Sequence, residues 1–99
     1  MGRVTIASIM ARAIRDVEFE VSDDQENRVG TYKTFEEAAA VAMDRAISRG
    51  SAIIDVLVWS EAGARALGGS DAVERYREDP DASVFDRYEV KVNGVGRVP

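Results

Sequence analysis

Ninety-nine residues with 45% hydrophobic and 31% charged composition give a chain of ordinary globular balance, long enough for one domain to bury a core without staples. Acids outnumber bases 18 to 13 for a net charge of −5, so a folded body that grips nucleic acid through phosphate contacts is disfavoured. Histidine and cysteine are both absent, which excludes a disulfide framework, a cysteine nucleophile, a Cys/His zinc site, histidine-ligated haem and a Ser-His-Asp triad.

No apolar run follows a basic start in the manner of a signal peptide, and residues 56–59 are too short an apolar stretch to span a bilayer. A soluble, cytoplasmic chain without a membrane partner is therefore expected. Residues 1–15 carry Arg3, Arg12 and Arg15 and no acid. Residues 16–27 carry Asp16, Glu18, Glu20, Asp23, Asp24 and Glu26 and no base, so the negative charge is concentrated early in the chain.

In chain order, Ile6, Ile9, Met10 and Ala13 stand at helical spacing and predict a short amphipathic helix over residues 4–14, with a strand opening at Val4 as the alternative. Residues 1–15 would then be a helical arm through which copies of the chain exchange or stack. Residues 16–22 alternate, with Val17, Phe19 and Val21 on one side and Glu18 and Glu20 on the other, the pattern of a strand with one dry and one wet face. The polar cluster at residues 23–27 predicts a five-residue loop, and residues 28–33 return as an antiparallel strand that Gly30 weakens or bulges.

Thr34 followed by Glu37 is a capping box, so a helix is predicted over residues 35–49, closed by Gly50. Phe35, Ala39, Ala42, Met43, Ala46 and Ile47 are its expected buried stripe. Residues 52–59 are apolar on both faces, which predicts a central strand covered from both sides. Ser60 opens a short helix reaching Leu67 before Gly68-Gly69, and Asp71 with Glu74 predicts a second capping box for another short helix ending near Glu78. Residues 84–92 alternate again with Tyr88, Val90 and Val92 inward, and Asn93-Gly94 signals a hairpin into residues 95–98. The expected architecture is a single α+β domain over residues 1–99: a mainly antiparallel sheet of four to five strands packed by one long helix, 35–49, and shorter helices.

Asp55 interrupts the most hydrophobic strand. A desolvated carboxylate there can serve as an acid or base, with Glu89 or a tyrosine beside it, or it can simply point to a strand edge or pair with an arginine. The segments from Asp79 and from Asp23 begin with the oxygen spacing of a calcium loop, but lack its glycine at position six and its glutamate at position twelve. Gly68-Gly69-Ser70 lacks the lysine of a phosphate loop. No catalytic residue, cofactor or metal is expected, and the reading is non-enzymatic. Arg75, Tyr76, Arg77, Arg87 and Tyr88 form a mixed basic and aromatic neighbourhood, of residue types enriched at binding hot spots and also common on ordinary surfaces.

The acidic hairpin is the candidate protein interface, through Glu18, Glu20, Asp23, Asp24 and Glu26. Such a patch steers association with a basic protein surface; equally, it can be a solvated face kept charged against edge-to-edge pairing.

One run resembles a known group. Ala38-Ala39-Ala40, Ala42-Met43, Ala46 and Gly50-Ser51, set between a hairpin and a strand, are similar to the corresponding run of a small phage-encoded anti-CRISPR protein. The likeness covers residues 17–58. It implies a stoichiometric inhibitor, phage- or mobile-element-borne, that binds a CRISPR effector subunit and blocks its basic nucleic-acid-binding surface. The alternative reading is a self-associating interaction module.

Overall fold

The computed structural model describes residues 13–81 and 84–98. Strands β1 (Val17–Asp23) and β2 (Arg28–Tyr32) form the first hairpin, followed by helix α1 (Phe35–Arg49), strand β3 (Ser51–Val58), helix α2 (Glu61–Glu78), and strands β4 (Asp86–Lys91) and β5 (Gly94–Val98). The five strands make one antiparallel sheet in the order β2-β1-β3-β4-β5, and the architecture is α+β.

Register decides which residues share a face. Phe19 pairs with Val56, Val21 with Ile54, Ala52 with Val90 and Ile54 with Tyr88, so the apolar alternation of three strands lands on one side. Both helices bury their small residues in the same core cluster as these strand residues. Phe35, in the first turn of α1, meets Phe19 edge-on at 5.7 Å and Tyr88 at 5.1 Å, tying β1 to β4 beneath the helix.

The start of α1 follows the sequence closely. The Thr34 hydroxyl accepts the Glu37 amide at 3.1 Å, while the Glu37 carboxylate accepts the Thr34 amide at 3.3 Å. Gly50 closes the helix at φ 101°, its amide donating to the Ala46 carbonyl. The buried stripe is rotated from the expected one: Phe35, Ala38, Ala42 and Ala46 are buried, and Ile47 is 66% exposed. Spacings of three, four and four keep alanines against the sheet, which lets the helix axis come close and turns Ile47 outward.

Four further expectations are corrected. Among the described residues the central strand is covered on one side only, because both helices pack on the face of Val56 and Ile54; Ile53 and Leu57 are left half-buried on the other face and Trp59 is 56% exposed. There are two helices in the described residues, not one long helix with several short ones. The two expected segments abut directly across a kink at Gly68 and at Gly69, whose φ of 72° glycine adopts without strain, so Asp71 falls in the first turn after the kink rather than at a separate cap. The second hairpin turns one residue early, on Val92 and Asn93, with Lys91 paired to Gly94; Val92 is therefore 64% exposed rather than inward. Finally, Asp23 belongs to β1, and the hairpin loop is shorter by one residue than expected. The irregularity expected near Gly30 is present next to it, where the register passes from Val21↔Gly30 to Ser22↔Arg28 and leaves Val29 unopposed.

The helix expected over residues 4–14 lies outside the described residues except at Ala13 and Ile14, which are not helical. Ile14 is buried, and its carbonyl accepts the Val17 amide at 3.1 Å. At Gly63 the α2 backbone lies so near this segment that an added Cβ would stand 2.9 Å from the Arg15 carbonyl oxygen. Glycine is the side chain that permits that approach.

Candidate functional site: the acidic hairpin and the helix-free sheet face

The sheet face opposite the helices is built from the other half of each alternation. Its central cross-strand row runs Thr31, Glu20, Asp55, Arg87, Val98. Glu20 and Asp55 are direct cross-strand neighbours, an arrangement that like charges disfavour. Two arginines offset it from either side. Arg28 Nε lies 3.0 Å from Glu20 Oε2. Arg87 grips Asp55 with both fork nitrogens, Nε to Oδ1 at 2.7 Å and a terminal nitrogen to Oδ2 at 3.1 Å. The Asp55 hydrogen bonds hold the Arg87 guanidinium above its ordinary pKa, against the opposing effect of burial. Of the two sequence readings of Asp55, the paired one is what the side chains adopt. Glu89 sits on the same face but opposite Ile53, one row away, with Lys91 Nζ 3.9 Å from it.

The five hairpin acids separate into three kinds. Glu18 and Glu20 share the helix-free face, and Lys33 Nζ lies 2.6 Å from Glu18 Oε2. Their side chains are only 25% and 22% exposed, whereas those of Lys33 and Arg28 are 72% and 71% exposed. The acids are thus held by strand β1, and the cations are tethered loosely at the edge.

Asp23 points to the opposite face and is buried. Its Oδ1 accepts the amides of Gln25 and Asn27 at 2.9 Å each, and Oδ2 accepts the Asn27 side-chain amide at 3.3 Å. Those donors, the Asn27 amide first, hold the Asp23 carboxyl below the usual carboxylate range. Its role is to shape the turn. Asp24 pairs with Arg49 at 2.7 Å and so staples the loop to the last turn of α1, where a cation also suits the helix dipole. Glu26 is exposed at the tip and takes φ 63°, a left-handed conformation in which glutamate is uncommon. The structure therefore brings Glu18 and Glu20 together, adds Asp55 beside Glu20, and assigns Asp23 to the turn.

The partners Arg28, Lys33 and Arg87 are what sequence reasoning missed. Their role follows from register, and alternation alone carries no register. The basic and aromatic neighbourhood resolves likewise into internal contacts: Arg75 donates to Asp86 at 2.9 Å and stacks over Phe85, Arg77 pairs with Glu61, and Tyr88 is buried.

Among the described residues no group of three or more metal-ligating side chains is gathered, and no helix is long and apolar enough to cross a membrane. No protein-family model, curated protein or solved structure matches the chain.

Proposed function

We propose that the chain is a non-enzymatic binding domain that engages a basic protein surface through the acidic hairpin and the adjoining helix-free sheet face. The observation that carries this reading is the asymmetry of the hairpin ion pairs. Glu18 and Glu20 are fixed on a strand hydrogen-bonded on both sides, while Lys33 and Arg28 stand mostly in water. An exposed pair of this kind is worth only ~0–1 kcal/mol, so a partner's arginine or lysine can replace the internal cation at little cost. The acids meanwhile keep their geometry, which favours fast, oriented association. Half-buried Ile53 and Leu57 lie on the same face and supply apolar area between the charges.

The more specific form of this reading rests on the resemblance over residues 17–58. In it the basic surface is the nucleic-acid-binding groove of a CRISPR effector subunit, and the domain acts as a stoichiometric inhibitor.

The test is a pull-down from bacterial lysate with the native chain and with a variant carrying Glu18→Gln, Glu20→Gln, Asp24→Asn and Glu26→Gln. Asp23 is left intact because it holds the turn. Association with each recovered partner is then timed across a salt series. The reading requires a basic partner whose association slows about tenfold or more in the variant and falls steeply with salt. A partner that binds both proteins equally at all salt concentrations would sink it. Dose-dependent loss of target cleavage by a purified effector complex, saturating at one chain per complex, is required of the inhibitor form.

A further inference from the structure

We propose that strand β5 is a docking edge for a second copy of this chain, the two β5 strands pairing antiparallel about a two-fold axis at Gly96 to give a continuous ten-stranded sheet. This does not rest on the hairpin reading, since the hairpin edge is the opposite side of the sheet.

The sheet's two edges are built differently. An edge strand presents unpaired amide and carbonyl groups, and folded proteins block them with bulges, charged side chains or prolines. The β2 edge is blocked in this way. Val29 is bulged out of register, Arg28 and Lys33 flank the strand, and both are drawn across it to Glu20 and Glu18. The β5 edge has neither bulge nor proline within Gly94–Val98. Its register with β4 is regular from end to end, and its one charged residue, Arg97, is held back by Asp86 at 2.9 Å. The strand is exposed along its whole length, and Val92, Val95 and Val98 add apolar surface at 64%, 36% and 40% exposure.

The hydrogen-bonding valence selects the register. A two-residue hairpin closes on a hydrogen-bonded pair, here Lys91 and Gly94, and such pairs then alternate along an antiparallel ladder. Gly94, Gly96 and Val98 therefore turn their backbone groups toward β4. Val95 and Arg97 turn theirs outward, where among the described residues no strand meets them. A two-fold axis at Gly96 sets Val95 of each copy opposite Arg97 of the other, the arrangement in which both outward residues exchange both hydrogen bonds. Four new backbone bonds form and no like charges face each other.

The same register places Val98 of one copy against Gly94 of the other, and Gly96 against itself, in the closely spaced pairs of the ladder. Added Cβ atoms at Gly94 or Gly96 would meet nothing within 4 Å in the single chain. Gly94 is needed for its φ of 151°. Gly96 has no such need, and a glycine inside a strand ordinarily costs stability. Close approach of a second backbone accounts for it.

The test is sedimentation of the full chain from micromolar to millimolar concentration, with amide exchange read residue by residue. The weight-average mass should climb from 10.8 kDa toward twice that value. Over the same range the Val95 and Arg97 amides should gain protection while those of β2 do not. Val95→Pro removes an outward donor without touching the β4 ladder and should weaken association about tenfold or more. Gly96→Lys, whose cross-strand neighbour within the chain is Glu89 and whose side chain meets nothing there, sets like charges face to face at the two-fold axis; it provides a second variant and should act in the same direction. A chain that stays monomeric at millimolar concentration overturns the proposal. So does a dimer that is indifferent to both substitutions and leaves the two amides unprotected.

Discussion

The two faces of the sheet are made by the same strands and held by different physics. On the helix side, Phe19, Val21, Ile54, Val56 and Val90 are almost wholly out of water, and the contacts among them and the helices are dispersive and close-packed. On the other side, one residue along each strand, order is kept by ion pairs between neighbouring strands: Lys33 with Glu18, Arg28 with Glu20, and Arg87 with Asp55. The first face tolerates no exchange of partners. In the reading proposed above, the second gives up the exposed Lys33 and Arg28 for a partner's cations, and that difference is why the candidate interface is placed there.

The comparison is sharpest where loss is largest. Phe35→Ala removes the ring that bridges Phe19 and Tyr88, and urea unfolding should show a loss of about 3–5 kcal/mol. On the helix-free face, Asp55→Ala leaves Arg87 without its carboxylate partner in the row it shares with Glu20 and removes two charge-assisted hydrogen bonds, for an expected loss of about 1.5–3 kcal/mol. Replacing the pair together, Asp55→Leu with Arg87→Leu, should recover most of that loss, because the cost of Asp55→Ala lies largely in the stranded partner. If the double variant is as unstable as the single one, the ion pair is holding the strand register and the two faces are less distinct than described.

Glu18→Gln should change stability by only about 0–1 kcal/mol, an effect that vanishes at high salt. A larger loss would mean that the hairpin pairs are structural and not exchangeable. The smallest expected effect is a pH dependence at Asp23. Its carboxyl is held below the ordinary value in the fold, so its contribution is complete above the unfolded value and is lost as pH falls through the folded one. Asp23→Asn should therefore unfold more easily than the native chain at neutral pH, and the gap should begin to narrow only below about pH 4, closing as pH falls through the lowered folded value. A gap that persists unchanged into acid would assign the turn's stability to neutral hydrogen bonds.

Local signals were legible where the physics is local. The Thr34–Glu37 box, the Gly50 stop, the Ser60 cap and the alternation of residues 17–21 each concern a few consecutive residues, and each is present as read. Asp55 was legible as a buried polar residue needing a partner, and an arginine was among the partners weighed. Which arginine was not, because residues 32 positions apart meet only when β3 and β4 are in register.

The wrong expectations about burial share one cause. Residues 52–59 are apolar on both faces, and apolarity states that a strand prefers cover without stating whether cover is supplied. Ile47 and Val92 fit an inward periodicity and are turned out by the rotation of α1 on its alanines and by a hairpin that turns one residue early. By itself the sequence determined the Thr34 and Ser60 caps, the strand periodicities, the acidic hairpin and the antiparallel α+β class, since these follow from short-range sterics, capping bonds and the period of apolar residues. Only the tertiary structure decided that both helices share one face, that Asp23 serves the turn while Glu18 and Glu20 face outward beside Asp55, and that one sheet edge is blocked and the other open. Those outcomes depend on strand order and register, which arise from contacts between residues distant in sequence.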